Sequence, residues 1–275
     1  MSVADGWLGP AGAAAVLALG LLAGLANTAF HLVYHRVPLY LDPRGVVGDP
    51  AGRRPTLRQL ALLGAAVAGV LAFAASPAGL GGPGPLALAV SLVAAPAALA
   101  AIWALRQHEV ATYGPEVVVR LGKYAPASVC LLAWWFGAGA ARVAGDDAVT
   151  AWARGWDVAA GAFGAAYVLA AIAKLREAGW AWARPEAMAL LLAERGFGAM
   201  GPVRLALARS RAACAVVGAA GLGIELGALA FVWPPARPWA AATIVGFKAM
   251  TWGLFGYFEP EWVLAAVAVG VAVAG

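Results

Sequence analysis

Residues 156–182 read WDVAAGAFGAAYVLAAIAKLREAGWAW. The run is apolar and helix-length, and it carries a lysine, Lys174, near one end. Gly161, Gly164, Tyr167, Ala171 and Lys174 are spaced three, three, four and three residues apart, so they share one helical face. The run closes with Gly179, Trp180 and Trp182. In lipid this pattern predicts a packed helix with a cation on its inner face and an aromatic anchor where the membrane ends. Lys174 lies ~27 Å along the helix from Trp156. It reads either as a snorkelling or positive-inside anchor, or as a base or cation in a cavity, because a desolvated lysine can lose its proton near neutral pH.

The rest of the chain supports the membrane setting. Of its 275 residues 63% are apolar and 12% charged, and the mean hydropathy is +0.80. A soluble domain carries ~25% charged residues, so this chain cannot clothe itself in water-facing charge. Its Ala, Leu, Val and Gly content favours helices over a barrel, which needs short alternating strands. Cys130 and Cys214 both lie inside apolar runs and define neither a metal spacing nor a disulfide framework. The net charge of +5 invites a nucleic-acid reading. The arginines fall in short loops between apolar runs, which is the pattern of membrane orientation instead. There is no P-loop, dinucleotide fingerprint or Ser-His-Asp pattern.

Runs of ~20 apolar residues predict an all-α polytopic bundle of eight spans in one domain. They cover 9–34, 57–76, 85–105, 117–141, 156–175, 212–233, 239–257 and 261–274. Pro/Gly clusters at 76–77, 81–85 and 234–235 mark joints. Fifteen Lys and Arg residues follow spans one, three and five, among them Arg58, Arg106, Lys174, Arg204 and Arg211. Arg142, Arg154 and Arg237 are the three on the opposite side. The excess side should be cytoplasmic, which puts both termini outside the cell membrane. Residues 184–211 are basic and half apolar, and predict one or two amphipathic helices at the cytoplasmic surface.

Ionisable groups inside apolar spans cost free energy unless paired or hydrated. Glu225 sits mid-span between Gly223 and Gly227, whose small size favours close helix approach. Lys248 sits mid-span on the next helix, at similar depth if the short PPARPW link makes the two helices antiparallel neighbours. A Glu225–Lys248 pair is the expectation, either structural or functional. His31 and His35 share a face, but only the distant His108 or Asp42 could add a third ligand, so no metal is expected. His108 by itself reads as an interfacial residue. Trp134, Trp135, Trp152, Trp156, Trp180, Trp182, Trp233, Trp239 and Trp262 fall near predicted span ends and read as interface anchors.

The stretch from Tyr167 to Lys174-Leu175, followed by Gly179-Trp180, resembles the Lys-Leu…Trp signature of the HTTM (horizontally transferred transmembrane) family. That family contains the vitamin K-dependent gamma-carboxylases and their bacterial relatives. The Glu225 helix and the run GFKAMTWGLF at 246–255 agree in order and spacing, so the resemblance runs loosely from about Arg106 to the C-terminus. It implies that Lys174 matches the base that deprotonates vitamin K hydroquinone. Oxygen then converts the hydroquinone to a stronger base, which removes a proton from a substrate glutamate before carbon dioxide adds. With one residue of gap, His108 matches the histidine after an early helix. Lys248 stands where the family has His, and Thr251 where it has Asn. The extramembrane portion that recognises substrate in animal carboxylases has no counterpart here, which implies a protein partner for that task.

The expected protein therefore has an interior cavity lined by Lys174, Glu225, Lys248, Tyr167 and His108, with Lys174 and His108 as the catalytic residues and Tyr167, Glu225, Lys248 and Thr251 as the cofactor-binding ones. It binds a lipid-soluble molecule such as a reduced quinone, and moves a proton through Lys174. The rival expectation is a small transporter, or an assembly subunit whose buried charges only hold helices together. Lipid bilayer is the expected environment in every case; nucleic acid is not an expected partner.

Overall fold

The computed structural model describes residues 9–34, 56–80, 82–113, 125–194, 199–256 and 259–272. Among the described residues there are ten α-helices and no strand. They are α1 Pro10–Tyr34, α2 Leu57–Gly79, α3 Pro85–Tyr113, α4 Ala125–Val143, α5 Ala148–Ala178, α6 Pro185–Glu194, α7 Gly201–Ala208, α8 Arg211–Gly227, α9 Arg237–Phe255 and α10 Pro260–Val271. Short 3-10 turns at Gly179–Ala183, Ala228–Val232 and Pro234–Ala236 join the later ones. Among the described residues four segments are long and apolar enough to cross a membrane: Leu57–Gly79, Pro85–Gln107, Ala148–Ala183 and Arg211–Val232. Ala11–Ala26 and Pro260–Val271 are shorter apolar helices. Large apolar side chains such as Leu71, Val93, Phe136, Leu169 and Val216 point outward, as lipid-facing helices require.

The capping residues explain where helices begin. At α2 the Thr56 hydroxyl accepts from the Gln59 amide while the Gln59 side chain accepts from the Thr56 amide at 2.8 Å, a reciprocal capping box. At α5 the Asp147 carboxylate accepts from the Thr150 amide at 2.8 Å. That backbone donor holds the Asp147 carboxyl below its ordinary range. The cap is therefore intact at neutral pH, and its contribution is lost as pH falls through the lowered value. Asp147 also explains why α5 starts eight residues before the predicted 156.

Two prolines lie inside membrane-length helices, Pro77 in α2 and Pro96 in α3. Each removes the donor that would serve the carbonyl four residues earlier. Both carbonyls have found another donor. The Ser76 hydroxyl donates to the Phe73 carbonyl at 3.1 Å, and the Trp135 indole, reaching across from α4, donates to the Leu92 carbonyl at 2.9 Å. Ser76 also shares a hydrogen bond with Ser91 of α3. Away from water these substitutes are what makes the prolines tolerable.

The helices pack as chain-neighbour hairpins, α2 on α3 and α4 on α5, with α10 returning to lie against α1. Small residues set the approach: a side chain at Gly155 would collide with Trp134. The centre of the α2–α4–α5 core is aromatic. Trp134 and Trp152 meet edge-to-face at 4.7 Å, and Phe73 lies 4.9 Å from Trp134. Trp134, Trp152 and Trp156 are therefore core residues and not the interface anchors expected from sequence. Trp152 and Trp156 fell at a span end because the fifth span was drawn too short, whereas Trp134 lies at the middle of α4. Trp180, Trp233 and Trp239 are exposed at helix ends, where anchors belong.

Residues 184–211 form α6 and α7 with the start of α8. Arg204 is buried and donates to the Leu192 and Ala193 carbonyls, closing the C-terminus of α6. Of the expected site residues, His35 and Asp42 lie outside the described residues, as do the side chains of His31 and His108. Residues 117–124 of the predicted fourth span also lie outside them.

The Pro96 compensation can be tested by a double-mutant cycle. Trp135→Phe should cost about 1–3 kcal/mol, the desolvation of one unpaired buried carbonyl. The cost should fall by more than half in a Pro96→Ala background, where the restored amide at 96 reclaims Leu92. Reversible unfolding in detergent measures all four variants, and equal costs in both backgrounds would refute the coupling.

Candidate functional site

Lys174 points inward. Its ammonium donates to Glu225 Oε1 of α8, while its side chain keeps 30% exposure against 8% for Glu225. It also stands 5.3 Å from the centre of the Trp182 ring, so the aromatic turn after α5 closes over the cation. The helical face read from sequence holds along most of its length. Gly164, Tyr167 and Ala171 are buried on the side that leads to Lys174. Gly164 is the contact point with the Ala228–Val232 turn, because a side chain there would strike the Ala228 carbonyl. Gly161 faces open space instead.

The expected Glu225–Lys248 pair is not formed. Glu225 is taken by Lys174, and Lys248 donates to Glu259 at 2.6 Å. The cause is the geometry of the link. Residues 228–236 wind into two 3-10 turns. α8 and α9 then leave an open cleft between them, lined by Gly223, Gly227, Trp239, Ala240 and Thr243. A short link implied closely packed neighbours, and here it does not deliver them.

Lys248 nevertheless joins the same neighbourhood. Its ammonium lies 4.7 Å from the centre of the Trp262 ring and 5.9 Å from that of Tyr167. Tyr167 and Trp262 meet edge-to-face at 4.9 Å, and Phe163 backs Tyr167 at 5.3 Å. Tyr167 thus stands between two ion pairs, within electrostatic reach of both Glu259 and Glu225. Two polar atoms in this cluster are buried without a hydrogen-bond partner: the Tyr167 hydroxyl and Glu225 Oε2. Unsatisfied groups of this kind are uncommon in apolar surroundings and mark a place for a ligand or water.

Four of the expected site residues, Lys174, Glu225, Tyr167 and Lys248, therefore come together. Thr251 does not take part through its hydroxyl, which donates back to the Lys248 carbonyl at 2.9 Å. Glu259 and Trp262 belong to the cluster and were missed. Glu259 immediately precedes α10, outside the apolar run, and Trp262 carried the same local signal as the tryptophans that are exposed at helix ends. A second cross-helix pair was also missed. Arg237, fully buried, donates to Asp157 at 2.8 Å and to the Phe231 carbonyl at 2.9 Å. Asp157 sits inside an apolar run, and that alone was a signal for a partner. Among the described residues no cluster of His, Cys, Asp and Glu could hold a metal ion.

The Lys174–Glu225 assignment predicts the outcome of charge reversal. Lys174→Glu alone should destabilise the protein by about 3 kcal/mol, the low end for a buried pair because the lysine is partly exposed. Adding Glu225→Lys should recover most of that loss, whereas pairing Glu225→Lys with Lys248→Glu should not. Thermal unfolding in detergent separates the two, and rescue by the Lys248 swap would overturn the pairing.

No protein-family model, curated protein or solved structure matches this chain, so its geometry is the ground for any functional reading.

Proposed function

We propose that this is a multi-pass protein of the cell membrane that binds a lipid-soluble hydroxylated molecule, of the reduced-quinone type, at the Lys174–Glu225–Tyr167 cluster and accepts a proton from it. The reading is of the kind that the resemblance to the HTTM family implies. The observation that carries it is a pair of buried, unpartnered polar atoms: Glu225 Oε2, on the carboxylate that Lys174 holds, and the hydroxyl of Tyr167, seven residues before Lys174 on the same buried face of α5. A reduced quinone supplies an acidic ring hydroxyl. Glu225 Oε2 is the acceptor for that proton, and Tyr167 is a donor to a neighbouring oxygen. Lys174, as an ammonium, stays close enough to balance the negative charge left on the ring oxygen when the proton moves to Glu225. Trp262, partly exposed and backed by the buried rings of Tyr167, Phe163 and Phe231, is the surface against which a ring would pack.

In this reading the eight apolar segments all span the bilayer, and both termini lie outside. α6 and α7 rest on the cytoplasmic surface. Lys174 then sits toward the cytoplasmic end of α5, and a protein partner supplies recognition of any macromolecular substrate. A second reading has its own support: Lys174 and Glu225 already satisfy each other's charge, as in a transporter or assembly subunit whose ion pairs only hold helices.

Vitamin K hydroquinone added to the purified chain distinguishes the two. Under the first reading it raises the unfolding temperature. Glu225→Gln and Lys174→Met, each checked for native helicity, should weaken binding roughly tenfold or more, the loss of one charge-assisted hydrogen bond. Tyr167→Phe should weaken it less. Equal stabilisation of wild type and all three variants, or none of the wild type, would leave the second reading standing.

A further inference from the structure

A separate cleft of about 420 Å³ lies between α3 and α4, lined by Leu99, Ile102, Trp103, Arg106, Ser128 and Leu132 among others. It is sorted by polarity along its length. α3 and α4 are neighbours, and Leu99 and Leu132 lie toward the middle of their helices, so the deep end is apolar. Arg106 and Ser128 mark the other end, Arg106 at the last turn of the membrane-length segment Pro85–Gln107 and Ser128 in the first turn of α4. Seven residues separate Leu99 from Arg106, about 10 Å of helix.

Three observations point to one occupant. The Ser128 hydroxyl is buried and has no hydrogen-bond partner, although it lines the cleft. No ion-pair partner of Arg106 is present among the described residues. Trp103 is 62% exposed beside them, at the level where tryptophan favours the membrane interface. A cation, an unspent hydroxyl and an apolar slot in that order match a molecule with an anionic, hydrogen-bonding head and a hydrocarbon tail.

We propose that this cleft is a binding site for one anionic phospholipid, its phosphate on Arg106, a head-group or ester oxygen on Ser128, and an acyl chain running past Ile102 toward Leu99 and Leu132. The volume lies within the range of ligand-binding clefts. One arginine near a membrane surface favours an anionic over a neutral lipid by about fivefold. The site shares no residue with the Lys174 cluster and does not depend on it.

The test uses the full chain in nanodiscs that contain phosphatidylcholine with a minor share of phosphatidylglycerol. Bromine on the acyl chains of one lipid at a time quenches nearby tryptophan. The Trp103 signal is the difference between wild type and Trp103→Phe. Brominated phosphatidylglycerol should quench Trp103 at about one-fifth of the concentration needed for brominated phosphatidylcholine. Arg106→Gln should bring the two to parity, and Arg106→Lys should keep part of the preference, which guards against a folding defect. Ser128→Leu should fill the slot and abolish the preference with the helical spectrum unchanged. A preference that survives Arg106→Gln, or no preference in wild type, would overturn the proposal. So would full competition by inorganic phosphate, which would make the site one for free anions.

Discussion

Helix α5 is fixed to its surroundings at two points by charge. Asp157 near its start is held by Arg237, and Lys174 near its end is held by Glu225. Seventeen residues, about 25 Å of helix, separate the two. In an apolar medium each of these four side chains would be costly alone, so each pair commits two elements to one relative position. The first fixes the start of α9 against α5, and the second fixes α8. Between them Gly164 admits the turn that joins α8 toward α9. The aromatic cluster around Tyr167 occupies the space so defined, and α10 reaches it through Trp262.

The same requirement, that no polar group be left without a partner away from water, accounts for much of the detail elsewhere. Ser76 and Trp135 take the carbonyls that Pro77 and Pro96 strand. Arg204 takes those at the end of α6. Against that background the exceptions gain meaning. The Thr28 hydroxyl and the indole N–H groups of Trp134, Trp152 and Trp156 are buried and unspent within the core, whereas the Tyr167 hydroxyl, Glu225 Oε2 and the Ser128 hydroxyl, equally unspent, belong to residues beside charged side chains or a cleft.

The chain's helical character was legible in its composition, and the inner face of α5 in its spacing, since both depend on local periodicity. Partner identity was not. Glu225 and Lys248 looked like a pair because depth and chain proximity agreed, but the 3-10 turns after α8 opened a cleft that sequence spacing cannot show. Trp134 and Trp152 looked like anchors for a related reason. A tryptophan near a span end and one packed against a glycine of the next helix carry the same local signal, and only tertiary contact with Gly155 and Phe73 tells them apart. Asp147 was different: an acid two residues after a glycine and three before a threonine is a readable cap, and it would have set the start of α5 correctly.

The packing of α10 against α1 carries a consequence for biogenesis. The two helices are separated by more than 220 residues of chain, which at ~5–20 residues per second keeps α1 waiting for roughly 10–45 s after it leaves the ribosome. Throughout that interval the flank of α1 destined for Leu264 is bare. The nascent chain must therefore shelter that flank of α1 against another surface until α10 has been made.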